Sequence, residues 1–382
     1  MNVDLVIVGA SIRAAAFSAL RAGFQPAGAD LFADQDLVAS VPVLRVTQYP
    51  QQLSRALENW PGTDWLYTGA LENHPRLVGQ MEQQGQLLGN SQAVLERLAR
   101  PLDLQKVLTG AGLSCPRIVL DRPDDRQGWL CKPVHSAGGT GIHPADKPIR
   151  PRPTGMVYYQ QQVAGIPASA VFLATPTGVL LLGVTRQLVG PGFTAAAPFA
   201  YCGSIGPLSL SERLLPEVIA MGSVLGDHFS LRGLFGIDLV IDEQRAWFIE
   251  INPRISASAE IIERTTGQSL IGLHVDACRG ASPRPRSEST TGQWGKAILF
   301  ARQSLVVPAA FPSLFRTAEQ DEGSWPSVAD LPSAGSRIAG GRPVLTVFAR
   351  GQSAGEVETR LRERIHRLEQ QILPSTLPLA TS

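Results

Sequence analysis

Residues 235–254 read Phe235-Gly236-Ile237-Asp238-Leu239-Val240-Ile241, a polar turn at 242–245, and then Ala246-Trp247-Phe248-Ile249-Glu250-Ile251-Asn252-Pro253-Arg254. Two apolar runs flanking a short polar turn predict an antiparallel hairpin. Asp238 and Glu250 each interrupt an apolar strand with a carboxylate. With one bulged residue in the turn, the register pairs 238 with 250 and places both carboxylates on one face, about 5 Å apart at the backbone. Like charges that close repel unless a cation lies between them. Asn252, two positions further on, shares the face and adds a neutral oxygen. Two carboxylates and an amide oxygen form a hard donor set, suited to Mg²⁺ held jointly with phosphate oxygens. An acidic edge on a solvated sheet is the other reading. It leaves the apolar neighbours Ile237, Leu239, Phe248, Ile249 and Ile251 unexplained.

A second stretch belongs with the hairpin: Trp129-Leu130-Cys131-Lys132-Pro133-Val134-His135-Ser136-Ala137-Gly138-Gly139-Thr140-Gly141-Ile142. Here a strand delivers a lysine, and a glycine-rich loop then exposes successive backbone N–H groups. Lysine is a compact point charge suited to phosphate oxygens, and such amides form an anion nest. A Walker A loop would place its lysine after the glycines, so this is a different phosphate device. Lys132 is one of only four lysines, with Lys106, Lys147 and Lys296, among 34 basic residues.

Outward from these segments the chain reads as α/β. Val3 to Val8, the turn Gly9-Ala10-Ser11, an alanine-rich helix Ala14 to Ala22 stopped by Gly23, and a strand Ala27 to Leu31 make a nucleotide-fold half without a GxGxxG fingerprint. Gly9, Ser11 and Arg13 read either as an anion site at a helix N-terminus or as ordinary βα-loop chemistry. Trp65 to Gly69 predicts a later strand, followed by Glu72 and Asn73, which read as substrate contacts or as caps of a helix beginning near Pro75. Three segments result: an open parallel-sheet domain at 1–95, an α+β domain at 96–280 with a glycine-rich lid around 129–165, and a β-rich piece with a terminal helix at 290–382. Residues 129–275 read as strand-rich with long turns, 306–337 as loop, and 354–371 as an amphipathic helix presenting Val357, Leu361, Ile365 and Leu368 to the sheet.

The two chemical segments together resemble the ATP-grasp superfamily, ligases that activate a carboxylate with ATP. Lys132 with Gly138, Gly139 and Gly141 matches the family's lysine and lid loop. Asp238 matches its magnesium acid, and Glu250, Asn252 and Arg254 its E-x-N-x-R signature. The separation of twelve residues between the acids agrees with the biotin carboxylase branch. Gln160-Gln161-Gln162-Val163-Ala164-Gly165 stands where a QExxxxG segment is usual, so Gln161 replaces a glutamate. The family's first nucleotide lysine has Arg100 or Lys106 as its candidates. The resemblance implies ATP and Mg²⁺, with Mn²⁺ an alternative, as cofactors. It also implies Asp238, Glu250 and Asn252 as metal ligands, and Lys132, Arg100, Gln161 and Gln162 as nucleotide contacts. Arg254 would then sit beside the transferred phosphoryl group or the substrate carboxylate, the other reading being a salt bridge to a neighbouring acid.

The expected reaction is carboxylate–amine ligation through an acyl phosphate, releasing ADP and phosphate. Small-molecule carboxylates and amines are the partners, and a homodimer is allowed for. Similarity to bacterial members that accompany one-carbon metabolism suggests glutamate joined to an amine in cofactor biosynthesis. Arg186, after the strand Val179 to Thr185, is expected to clamp a carboxylate, and Tyr201, Gly203, Ser204 and Gly206 to form a loop beside the site. His135 reads as a proton carrier or as polar filler. A non-catalytic ATP-binding regulator and a biotin-carboxylase-like component are the alternatives. A formal net charge of +1 argues against nucleic acid, and no long apolar segment predicts a membrane helix. Four scattered cysteines predict no disulfide framework and a cytoplasmic setting.

Overall fold

The computed structural model describes residues 2–147, 155–192, 194–285, 292–309, 311 and 325–372. The chain opens with a parallel sheet in the order β3-β2-β1-β4, built from β1 (Leu5–Gly9), β2 (Pro26–Asp30), β3 (Val43–Arg45) and β4 (Trp65–Tyr67). β1 is apolar on both faces because both are covered. Leu5 and Ile7 pack on α1 (Arg13–Arg21) and α9 (Leu270–Cys278). Val6 and Val8 face α3 (Leu53–Ala56), α4 (Pro75–Met81) and α5 (Gln92–Leu98), and the short α2 (Gln35–Val38) follows β2. The loops after β1 and β4 meet at the carboxyl ends of the strands, where Thr68 Oγ1 donates to the Ser11 carbonyl at 2.9 Å.

After α6 (Pro101–Gly110) comes a four-stranded antiparallel lid sheet in the order β5-β8-β6-β7: β5 (Ile118–Val119), β6 (Trp129–Pro133), β7 (His143–Pro144) and β8 (Val157–Gln161). The lid sheet therefore starts at 118, ahead of the expected 129. The central antiparallel sheet has eight strands in the order β13-β12-β9-β10-β11-β14-β18-β16. These are β9 (Ile166–Thr175), β10 (Gly178–Val189), β11 (Tyr201–Gly206), β12 (Gly233–Ile241), β13 (Ala246–Asn252), β14 (Gln293–Phe300), β16 (Val328–Ala329) and β18 (Pro343–Gly351). Residues 293 onward thus extend the central sheet through the β11–β14 pair rather than building a sheet of their own. Two short strands, β15 (Leu305–Val306) and β17 (Arg337–Ile338), pair inside the stretch read as loop. Much of the rest of 306–337 lies outside the described residues.

Three helices occupy 214–278, where strands were expected: α7 (Leu214–Phe229), α8 (Ala259–Thr266) and α9. α7 carries Gly222 and Gly226, which weaken a helix on propensity alone. The packing explains them, since a Cβ at Gly222 would lie 2.2 Å from the Phe172 ring and one at Gly226 2.4 Å from Val179. The last helix, α10 (Ala354–Ile372), buries Val357, Leu361, Ile365 and Leu368 against β14 and β18, as its spacing requires.

A buried ion network ties the three parts together. Arg13 of α1 pairs with Glu260 of α8 and with Asp330, at 2.8 Å from Nε to Oδ1. Lys296 of β14 reaches the same Glu260 at 3.1 Å. Burial works against the Glu260 carboxylate, but Arg13 and Lys296 outweigh it and hold its pKa far below the usual range. Arg13 is therefore an internal strut, which overturns its reading as part of an anion site. Nearby Asp34 is 8% exposed and is pushed up to about 8 by burial and by the charges of Asp330, Asp30 and Asp36.

That shift carries a stability prediction. Between the ordinary aspartate value of 3.8 and about 8, the folded protein keeps the Asp34 proton and the unfolded chain does not, so stability falls as pH rises. Asp34→Asn removes this penalty. The variant should gain on wild type in urea unfolding as pH goes from 5 to 9, by about 4 kcal/mol at the alkaline end. A constant difference across that range would refute the burial of an ionisable Asp34.

No helix among the described residues is long and apolar enough to cross a membrane. The four cysteines are unpaired.

Candidate active site

The 235–254 segment forms the expected hairpin. Asp238 of β12 stands opposite Glu250 of β13, and the register shifts between Asp238 and Leu239. Leu239 pairs with Phe248, so the extra residue is Ile249 within the strand rather than one in the turn. A bulge there keeps both carboxylates on the cleft face while the apolar residues beyond it return to the core.

The cleft lies between the lid sheet and the central sheet, with a cavity volume of about 580 Å³. Asp238, Glu250, Asn252 and Arg254 line it together with Lys132, Gly138, Gly139, Gln161 and Gln162. The structure thus brings together nine of the residues singled out from the sequence. Lys132 is buried and its Nζ lies 3.9 Å from Glu250 Oε2 and donates to Gln160 Oε1 at 3.1 Å. Burial alone would lower the lysine's pKa, but Tyr158, Glu250 and Asp238 raise it overall, so it stays charged. Asp238 is raised chiefly by desolvation, and Glu250 by desolvation and the charge of Asp238, opposed by Lys132. Two facing carboxylates, both pushed toward neutrality, are an arrangement that a divalent cation would relieve.

The donor set bears on whether such a cation fits. Asp238 accepts from Gln187 Nε2 at 3.0 Å and from Asn252 Nδ2 at 3.3 Å. Asn252 Oδ1 is taken by Arg254 Nη2 at 2.9 Å. Asp238 and Glu250 therefore fit the ion, and Asn252 Oδ1 keeps a second lone pair beside the one that Arg254 uses. Among the described residues there is no group of three or more His, Cys, Asp or Glu placed to hold a metal.

Arg254 also donates to Glu72 Oε1 at 2.9 Å from Nε and to the Ile255 carbonyl at 3.1 Å. Glu72 sits in a single 3₁₀ turn, Leu71–Asn73, entered through Ala70 at φ 74°. Its role is to hold the arginine from the N-terminal domain. Asn73 donates to the Ser136 carbonyl of the lid loop at 3.0 Å. Neither residue caps α4.

The lid loop is pinned from the far side as well, where Tyr201 N donates to the Gly138 carbonyl at 3.3 Å. Gly139 has φ 81°, and a Cβ there would lie 1.9 Å from the Phe199 carbonyl oxygen. Gly139→Ala should therefore lift the loop off Phe199 and raise the KM for ATP about tenfold, with the melting temperature unchanged within a few degrees. An unaltered KM would show that the loop does not close on nucleotide in this position.

Four expected site residues are placed elsewhere. Arg186 alternates with Gln187 along β10, so it faces away from the cleft and pairs with Glu358 of α10. It cannot clamp a substrate from there. Arg100, the residue before α6, is two-thirds exposed and lies 3.9 Å from Asp103, and Lys106 is exposed. Neither lines the cleft. Gly141 has φ 79°, packs against Pro133 and lies beside rather than in the cleft wall. Tyr201, Gly203, Ser204 and Gly206 form β11 instead of a loop. Gln187 was not foreseen, although a glutamine inside an otherwise apolar strand is a usable signal.

Residues 101–258 match the ATP-grasp domain family. An uncharacterized protein of Methanocaldococcus jannaschii is 24% identical over 225 residues, covering 58% of this chain and 50% of that protein. The chain thus spans about half the length of this curated relative. Among solved structures, an ADP complex of N5-carboxyaminoimidazole ribonucleotide synthetase superposes with a TM-score of 0.71 at 15% identity, over 97% of this chain and 98% of that one. An L-amino acid ligase from Bacillus licheniformis gives 0.69 at 16% identity, over 96% and 97%. Residues 101–258 thus match an ATP-grasp domain, and the chain as a whole shares the fold of these two solved structures.

Proposed function

We propose that this protein is an ATP-dependent carboxylate–amine ligase that forms a C–N bond through an acyl phosphate and releases ADP and phosphate. The observation that carries this reading is the facing pair Asp238 and Glu250 in a cleft that also holds Lys132, 3.9 Å from Glu250.

In this reading Asp238 and Glu250 hold the divalent ion, Mg²⁺ or Mn²⁺, that accompanies ATP. When bound, the ion supplies neutralisation of charge on the β- and γ-phosphate oxygens. Lys132, kept charged by its neighbours, holds phosphate oxygens from the lid side. Gly138 and Gly139 let the loop lie close over the triphosphate, which excludes water from the reactive acyl phosphate. Gln161, Gln162 and Val163 run from the end of β8 toward β9 and line the cleft, which in this reading assigns them to the nucleoside. Arg254, fixed by Glu72 and Asn252, presents its guanidinium beside the reacting carboxylate.

The test is ADP release by the whole chain with Mg·ATP against pooled amino acids, small carboxylates and amines, with mass analysis of the product. ADP formed only with an acid and an amine, together with an amide product, supports the ligase. A requirement for bicarbonate points to the carboxylase reading. Tight ATP binding without ADP from any pool favours the regulator.

A further inference from the structure

The cleft crosses five neighbouring strands, β13-β12-β9-β10-β11. The acids and Lys132 belong to its β12–β13 side. The opposite end, toward β10 and β11, is lined by Val189, Pro191, Phe199, Tyr201 and Ser258. Resting on the ligase reading, we infer that the substrate seated at this end is uncharged apart from its reacting group, with a hydroxyl or carboxamide that meets a chain of protein hydroxyls.

Two observations carry this. The first is the chain itself. Tyr201 Oη lies 2.7 Å from Ser204 Oγ, which lies 3.1 Å from Ser258 Oγ. Three hydroxyls own three O–H donors, and the two internal bonds use two of them. One O–H donor is therefore left over, at an end of the chain or on Ser204 itself, and lone pairs remain on the hydroxyls that only donate. Burial pushes the Tyr201 phenol well above its usual pKa, so this end stays neutral at physiological pH. A neutral group that both donates and accepts suits such a chain better than an ion does.

The second observation is the pairing of the nearby cations. Arg254 is spent on Glu72, Asn252 and the Ile255 carbonyl. Arg186 turns to Glu358, and Arg13 and Lys296 share Glu260. The basic side chains among the described residues that line the cavity, Lys132 and Arg254, are both held by acids, Glu250 and Glu72. A second carboxylate or a phosphate placed there would be desolvated without a counter-charge. This disfavours glutamate, the narrower expectation, as the molecule in this subsite.

Isosteric pairs separate charge from shape: glutamine against glutamate, asparagine against aspartate, and glucosamine against glucosamine 6-phosphate. Each is supplied to the whole chain with Mg·ATP and the pooled co-substrates, and ADP release is followed. The neutral member should be preferred at least tenfold in kcat/KM. Tyr201→Phe should raise the KM of that neutral substrate several-fold while leaving the KM for ATP within twofold. Preference for the charged member, or a Tyr201→Phe effect confined to ATP, would overturn the inference and leave the ligase reading standing. No ADP from any pair, despite ATP binding, would remove the ligase reading and the inference with it.

Discussion

Glu250→Gln should abolish ADP formation, lowering its rate on the order of 10³-fold or more, while the protein melts as wild type does. The substitution keeps shape and hydrogen-bonding capacity but removes one of the two charges that face each other across β12 and β13. Without it, the remaining carboxylate, Asp238, is already engaged by Gln187 and Asn252, and it offers a divalent ion a single charge. The same substitution takes the counter-charge away from Lys132, 3.9 Å distant. Stability should not suffer, because Glu250 is partly exposed and two like charges facing each other cost the fold energy that a neutral amide spares. Raising Mg²⁺ should recover part of the loss in Glu250→Gln if the defect is in ion binding. Asp238→Asn should be severely impaired as well, with a raised requirement for the ion. Full activity in Glu250→Gln would end the metal assignment, and an unchanged Mg²⁺ dependence in Asp238→Asn would count against it.

The residues that make this argument possible were those whose side chains break a pattern. A carboxylate in an apolar strand, twice, and a lone lysine before glycines are visible in sequence because their burial has to be compensated by chemistry. The N-terminal half-fold was legible for a related reason: β1 is continuously apolar, α1 is alanine-rich, and Gly23 at φ 90° ends it. What escaped were features set by partners far along the chain. α7 looks unlike a helix until Phe172 and Val179 are seen to fill the space its glycines leave. Arg13 and Arg186 looked like free cations because Glu260 and Glu358, their partners, lie 247 and 172 residues away. In an arginine-rich chain, the number of arginines says little about which of them face a ligand. The bulge was expected in the turn and lies at Ile249, since hairpin pairing alone does not say where an extra residue is accommodated. The extension of the central sheet by β14, β18 and β16 is likewise a long-range pairing with no local mark.

Arg254 is the residue where the two levels meet, and Arg254→Lys should lower ADP formation about 100-fold despite keeping the positive charge. The guanidinium reaches three acceptors at once: Glu72 Oε1 at 2.9 Å, Asn252 Oδ1 at 2.9 Å and the Ile255 carbonyl at 3.1 Å. These lie on the N-terminal domain, on β13 and on the backbone beyond it. A planar fork spans such a set, whereas one ammonium group on a shorter reach satisfies part of it. Whichever acceptor is dropped, the alignment suffers. If Asn252 is released, its amide is free to turn and its bond to Asp238 is lost; if Glu72 is released, a carboxylate at the edge of the cleft is left unpaired. Glu72→Gln separates these cases, because it keeps an acceptor for Arg254 and removes only the charge. It should cost about tenfold in kcat, with the KM for ATP nearly unchanged, since Glu72 acts through the arginine and not on the nucleotide. A lysine variant as active as wild type would mean that Arg254 contributes charge alone. A Glu72→Gln defect confined to the KM for ATP would mean that the N-terminal loop acts on the lid, through Asn73 and Ser136, rather than on Arg254.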